Sequence, residues 1–492
     1  MSNDSQILQK LVEYNEWWQK EKVPNELLKN FHRRDFYKLC KGLKTQKIIS
    51  ITGLRRVGKT SLIYQLINYL INEESVSPKR ILFITLEHPL WKVLKVSLEN
   101  ILEVYTNSVL NSSTSELDPK ERIYIFLDEV HYLPDWELYL KVLYDKQTPF
   151  KFIISGSSSL HLLKQSSESL VGRVQPQLVF PLKFLEYCRY KRYKIESEIT
   201  RIDQFNFNFR TSLQTSIKNN ILDPIFSFVK SEENYLYGIK SQLIPSLNDY
   251  VLKGGFPEYL NEEVKISRQQ LTTYIDLILF RDIPQIYPRR NIEELQKVLF
   301  WSSRTSPHVT SYTNIANALE IKRDTVKDYL NILESVFLIN RSELYSKSTS
   351  KRLRAPVKIF MQDPGIQASY DNYPTELHLY QPDMLGNIIE GIVANHLKRL
   401  KFNLEGGLKS DIFYWSENRR EVDVVCDLFH QPLPVEVQYR NTIGKKERIG
   451  LITFLEKNKS APFGIIVSKD SLEYLESERI IIIPLWLFLL LV

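Results

Sequence analysis

Lys47-Ile48-Ile49-Ser50-Ile51-Thr52 runs directly into Gly53-Leu54-Arg55-Arg56-Val57-Gly58-Lys59-Thr60 and on into the segment Ser61 to Leu70. The first run is short and β-branched, and the last carries apolar residues at helical spacing. The order is therefore strand, glycine-bounded loop, helix. The loop matches GxxxxGK[ST], and phosphate chemistry explains the spelling. Gly53 and Gly58 allow backbone conformations that turn successive N–H groups toward a β-phosphate at the positive end of a helix. Arg55, Arg56, Val57 and Ser61 complete the segment that would wrap the phosphates. Lys59 would reach the β- and γ-phosphates, and the Thr60 hydroxyl would ligate Mg²⁺. ATP and Mg²⁺ are the expected ligands.

Working outward, short apolar runs recur at Arg80 to Leu86, Ile123 to Leu127 and Phe150 to Ser155, with helix-like stretches between them. Buried strands alternating with helices predict an α/β fold built on a parallel sheet with helices on both faces. Ile123-Tyr124-Ile125-Phe126-Leu127-Asp128-Glu129 ends in two acids. Asp128 reads as the metal-side carboxylate, and Glu129 is placed to polarise an attacking water. The alternative for this pair is a capping or surface role. Phe150 to Ile154 leads into Ser155-Gly156-Ser157-Ser158-Ser159. Ser155 or Ser157 reads as a γ-phosphate sensor, or equally as a helix N-cap. Gly172-Arg173 offers an arginine aimed at the transferring phosphate, or a surface arginine.

Composition bounds the rest. The 492 residues suffice for two to four domains, and 43% hydrophobic with 25% charged residues excludes a wholly disordered or collagen-like chain. Lys and Arg number 65 against 58 Asp and Glu, and the net charge of +7 permits a nucleic-acid partner without demanding one. Cys40, Cys188 and Cys426 lie far apart with no CxxC, which fits a reducing cytoplasm. The polar N-terminus lacks a signal-peptide apolar core. The apolar run Ile480 to Val492 is thirteen residues long and interrupted by Pro484, against about twenty residues needed to span a bilayer. It reads as a buried strand and helix, with a tail anchor as the alternative; the expected location is cytoplasmic, with no membrane span.

The chain resembles the archaeal and bacterial P-loop ATPases of the AAA+-related group that includes the signal-transduction ATPases with numerous domains. The resemblance rests on the double-arginine loop, Phe126-Leu127-Asp128-Glu129-Val130, Ser155-Gly156-Ser157, Ser169-Leu170-Val171-Gly172-Arg173 and Gly254-Gly255-Phe256-Pro257-Glu258. It implies an N-terminal helical segment (1–46), an ATPase core (47–180), a helical lid (181–290), a winged helix-turn-helix (291–360) and a nuclease-like α/β domain (361–492). It also implies that Gly255 and Pro257 lie against the adenosine and that Arg173 is a finger, acting within one chain or on a neighbouring subunit. Within the lid region, Gln204 to Asn220 is rich in Phe, Asn, Ser and Thr and reads as a loosely ordered insertion.

Helical patterns at Leu295 to Ser303, Ser311 to Leu319 and Arg323 to Leu338 have the look of a helix-turn-helix, with Ile339 to Tyr345 as a first wing strand. Arg323, Lys327, Lys347, Lys351, Arg352, Arg354 and Lys358 are its candidate DNA contacts. The alternative is a three-helix module that packs against protein. In the nuclease-like domain, Glu390, Asp423 and Glu436 could gather Mg²⁺, or they are scattered surface charges. Gln438 stands where the active pattern has lysine, so nuclease activity is expected to be weak or lost. Two functional readings follow: an ATPase that couples nucleotide state to DNA, or a nucleotide-dependent switch or scaffold for protein partners, with self-association open.

Overall fold

Five strands of the N-terminal region pair side by side in parallel: β1 (Ile48–Gly53), β2 (Ile81–Thr85), β3 (Ile123–Asp128), β4 (Phe150–Gly156) and β5 (Val174–Val179), in the spatial order β2-β3-β4-β1-β5. The computed structural model describes residues 2–29, 31–114, 116–118, 120–156, 170, 172–191, 199–371, 374–406 and 412–492. Its chain falls into two compact units, Met1–Phe180 with Ser335–Phe337 and Pro181–Glu334 with Leu338–Val492. In the first unit every residue of β1 and β4 is buried, which is why these strands read as continuous apolar runs rather than alternating ones.

The segment 1–46 belongs to this first unit and covers the exposed edge of its sheet. Asn15 acts there as a surrogate strand residue: its Nδ2 donates to the Phe83 carbonyl (2.8 Å) and its Oδ1 accepts the Phe83 N–H (2.7 Å). Trp17 and Trp18 both donate their indole N–H to the Ile81 carbonyl (3.1 and 2.9 Å). An edge strand presents unpaired backbone groups, and these side chains satisfy those of β2. Asn15→Ala would strand a buried N–H and a buried C=O, at about 2 kcal/mol. The Phe83 amide is then expected to exchange hydrogen roughly thirtyfold faster, measured by exchange mass spectrometry; unchanged protection would refute the edge-cap role.

The second unit is helical before it is sheeted. Gln204 to Asn220 departs from the expected loose insertion: all but its last residue lie within a 21-residue helix, Ile199–Asn219. Phe205, Phe209, Leu213 and Ile217 recur every fourth position and are all buried. Such a stripe is enough to hold a helix whose other positions are polar.

Beyond it, helices Ile292–Thr305, Tyr312–Leu319 and Arg323–Ser335 form the expected three-helix array. Among the described residues of this unit there are nine strands, the first lying between helices Ile292–Thr305 and Tyr312–Leu319: β6 (Val309–Thr310), β7 (Ile339–Leu344), β8 (Val357–Met361), β9 (Ile412–Glu417), β10 (Arg420–Leu428), β11 (Gln431–Gln438), β12 (Gly464–Ser468), β13 (Glu473–Leu475) and β14 (Ile480–Pro484). They make one sheet in the order β13-β14-β12-β11-β10-β9-β7-β8-β6. The expected boundary at 360/361 therefore cuts through β8, and β7 pairs in parallel with β9. Strands β6 to β8 and the C-terminal strands share a single hydrogen-bonded sheet. Ile480 to Val492 forms β14 and two short helical turns, all buried.

Candidate nucleotide site and acidic cluster

Parallel strands bring their C-terminal ends to one edge, and here that edge gathers the loop after β1, the acids after β3 and the serine at the end of β4. Gly58 takes a left-handed conformation (φ +97°) at the N-cap of helix Lys59–Asn72. Gly53 is required for a different reason: a Cβ there would overlap the Val179 carbonyl on β5. Lys59 is buried, and its ammonium donates to the carbonyls of Gly53 and Leu54 (3.0 Å each). The cation thus rests on the loop that phosphate would fill.

Thr60 Oγ1 donates to Asp128 Oδ2 (2.9 Å), and the Ser155 hydroxyl is in short contact with Asp128 Oδ1. The Glu129 N–H donates to Ser155 Oγ at 3.2 Å. Burial and the neighbouring Glu129 raise the Asp128 carboxyl above its ordinary value, against the pull of Ser155, Thr60 and Lys59. The hydroxyl of Thr60 and the carboxylate of Asp128 are hard oxygen donors side by side, and so fit Mg²⁺. The ion would neutralise phosphate charge there. Glu129 adopts a left-handed backbone (φ +52°), uncommon for a non-glycine residue and frequent at functional sites.

Three participants were not singled out from the sequence. Buried Arg33 donates to the Val57 carbonyl (2.8 Å) and to the Phe180 carbonyl (2.7 Å), tying the loop to the end of β5. Glu87 pairs with Arg55 at 2.6 Å. His131 Nδ1 lies 3.4 Å from Glu129 Oε2. Only His131 carried a signal, two positions beyond the acid pair. Arg56 is exposed in a left-handed conformation (φ +64°), and Val57 is buried. Ser61 is half-buried in the first turn of the helix. Ser157 lies outside the described residues.

Arg173 is not brought to this edge. It immediately precedes β5, where its carbonyl accepts the Ile48 N–H, so it sits beside the start of β1. From Ile48 to Gly53 the strand advances roughly 16 Å. Its guanidinium forms a fork with Asp145, Nε to Oδ1 at 2.7 Å and Nη2 to Oδ2 at 2.9 Å.

Gly255 and Pro257 belong to the second unit. The Gly255 N–H donates to Asp363 Oδ2 (2.9 Å), and its carbonyl accepts the Leu182 N–H (2.6 Å). A Cβ on Gly254 would overlap Asp363 Oδ1, and Gly254 has φ +76°. Packing within that unit therefore accounts for the double glycine.

Of the basic candidates, Arg323, Lys327, Lys347, Lys351 and Arg354 are exposed. Arg352 is half-buried, paired with Glu343 at 3.0 Å and set over the Phe413 ring. Lys358 must be corrected: it is buried and faces carboxylates, so it cannot serve as an exposed phosphate contact. Its ammonium lies 2.5 Å from Glu390 Oε1, 3.2 Å from Glu421 Oε1 and 3.2 Å from Asp423 Oδ1. Burial alone would discharge it, but Asp423, Glu390 and Glu421 outweigh that and hold it protonated. Glu390, Asp423 and Glu436 do come together, against the alternative of scattered charges. The sequence signal for Lys358 was its setting, Val-Lys-Ile-Phe-Met, in which all five residues are buried.

Residues 45–188 match a family model described as an AAA domain. Residues 244–376 and 385–488 match two models described as domains of unknown function, DUF8612 and DUF4143. The first match and the five-stranded parallel sheet together support a nucleotide-binding ATPase unit of the AAA+ P-loop class.

Two uncharacterized proteins of Methanocaldococcus jannaschii are similar. One is 24% identical over 82% of this chain and 77% of its own length. The other is 26% identical over 72% and 68%. Among solved structures, the ADP form of Aeropyrum pernix ORC2 aligns at TM-score 0.32 and 11% identity, covering 77% of this chain and 97% of that one. The S. cerevisiae Hsp104–ADP complex aligns at TM-score 0.28 and 13% identity, covering 79% and 60%. Among the described residues, no helix is long and apolar enough to cross a membrane.

Proposed function

We propose that this chain is a Mg²⁺-dependent ATPase whose nucleotide state sets its engagement with DNA. The observation that carries the reading is the convergence of Lys59, Thr60, Asp128, Glu129 and Ser155 at one edge of the parallel sheet. In this reading the loop amides from Gly53 to Ser61 bind the phosphates, with Arg55, Arg56 and Val57 shaping the loop, and Lys59 binds the β- and γ-phosphates. Thr60 and Asp128 hold Mg²⁺, Glu129 takes a proton from the attacking water, and Ser155, with Ser157, senses the terminal phosphate. Arg173, beside the far end of β1, is proposed to act on a neighbouring copy.

The DNA arm rests on exposed Arg323 and Lys327 on the second helix of the helix-turn-helix, with Lys347, Lys351 and Arg354 following it and Arg352 at their edge. The C-terminal lobe is proposed to bind or pack rather than cleave. ATP turnover measured with and without DNA tests the coupling. Stimulation by DNA that fades as salt rises from 50 to 200 mM is the expected result. Turnover indifferent to DNA would favour the switch that engages protein partners.

A further inference from the structure

The acidic cluster of the C-terminal lobe is where the nuclease-like resemblance implies a divalent metal, and its residues do not fit one. Glu390 comes from helix Pro382–Glu405, Glu421 and Asp423 from β10, and Glu436 from β11. An ammonium has three N–H donors, and that of Lys358 finds three carboxylates, those of Glu390, Glu421 and Asp423. Three further oxygens of the cluster are also engaged. Glu436 Oε1 accepts Gln438 Nε2 (3.1 Å), Glu436 Oε2 accepts the Asp423 N–H (3.3 Å), and Asp423 Oδ2 accepts the Val437 N–H (2.9 Å).

A Mg²⁺ or Mn²⁺ ion needs near-octahedral oxygen ligands close to 2.1 Å. It cannot share a buried position with a fixed ammonium of the same sign. Consistent with this, no group of three or more candidate ligands among the described residues is arranged to hold a metal ion.

We propose that the Lys358 ammonium is the resident cation of this cluster. It takes the position a divalent metal would occupy, and it ties β8 to β10 and to helix Pro382–Glu405. Gln438 completes the replacement by giving Glu436 a neutral donor where the active pattern carries a charged one. The cluster is thereby closed to metal-assisted hydrolysis, and its carboxylates serve to anchor the wing side of the nine-stranded sheet. Nothing in this depends on the nucleotide site, so the two proposals stand or fall separately.

The test is Mn²⁺ titration of the nucleotide-free full chain by calorimetry, in the wild type, Asp423→Asn, Lys358→Ala and the double variant. Metal taken up near Asp128 is common to all four and cancels. Wild type and Asp423→Asn are expected to match. Lys358→Ala is expected to gain a Mn²⁺ association roughly tenfold or more tighter than any wild-type event at this site, lost again in the double variant. Its melting temperature should be lowered and then recovered by Mn²⁺, but not by NaCl of equal ionic strength. If Lys358→Ala does not fold, wild type against Asp423→Asn still decides. A wild-type Mn²⁺ event that Asp423→Asn removes would overturn the proposal. So would Mg²⁺- or Mn²⁺-dependent DNA cleavage that Lys358→Met abolishes.

Discussion

Lys59→Ala is expected to reduce ATP turnover by about a thousandfold or more. The size follows from what the ammonium replaces. It is buried and held by two backbone carbonyls, those of Gly53 and Leu54, at 3.0 Å each. Triphosphate would exchange these partial charges for full negative charge in a site shielded from solvent, where one cation is worth far more than in water. Alanine supplies no charge and leaves the two carbonyls without this donor, so affinity should fall along with turnover. Calorimetry of ATP and ADP binding, run beside a colorimetric phosphate assay, reads both. Because the variant also touches the resting loop, circular dichroism must show an intact unit before lost turnover is assigned to chemistry. Unchanged hydrolysis would remove Lys59 from the mechanism and the nucleotide reading with it.

What the sequence disclosed follows from how local each constraint is. The loop Gly53 to Thr60 was legible because backbone chemistry dictates its residues one by one: left-handed Gly58, a close approach at Gly53, a cation at 59 and a hydroxyl at 60. The acids at the end of β3 were legible because a buried apolar strand that stops on Asp-Glu leaves few structural uses for the charges. Helix Ile199–Asn219 was misread since composition hid its apolar period of four, although Phe205, Phe209, Leu213 and Ile217 spell it out. Lys358 was misread because a run of cations along the chain says nothing of which side each one faces. Lys351 and Arg354 are exposed, whereas Lys358 points inward. Its partners lie 32 to 65 positions away on a helix and β10, beyond any local pattern. Distance in sequence likewise hid Arg33, whose contacts, the carbonyls of Val57 and Phe180, lie 24 and 147 positions away.

Glu129→Gln separates binding from chemistry, and the expected result is a chain that holds ATP but scarcely hydrolyses it, slowed by about 10²- to 10⁴-fold. Glutamine is nearly isosteric with glutamate, so the approach to His131 Nδ1, now 3.4 Å from Oε2, can be kept. The strained backbone at φ +52° is asked of either residue alike. The Glu129 N–H still reaches Ser155 Oγ, because that bond belongs to the main chain. What glutamine cannot do is accept a proton from water. Acid-quenched protein should therefore release bound ATP rather than ADP, with an affinity within a few-fold of the wild type. Loss of binding in Glu129→Gln would instead mean that this carboxylate shapes the pocket, and the base would have to be sought elsewhere at the same edge of the sheet.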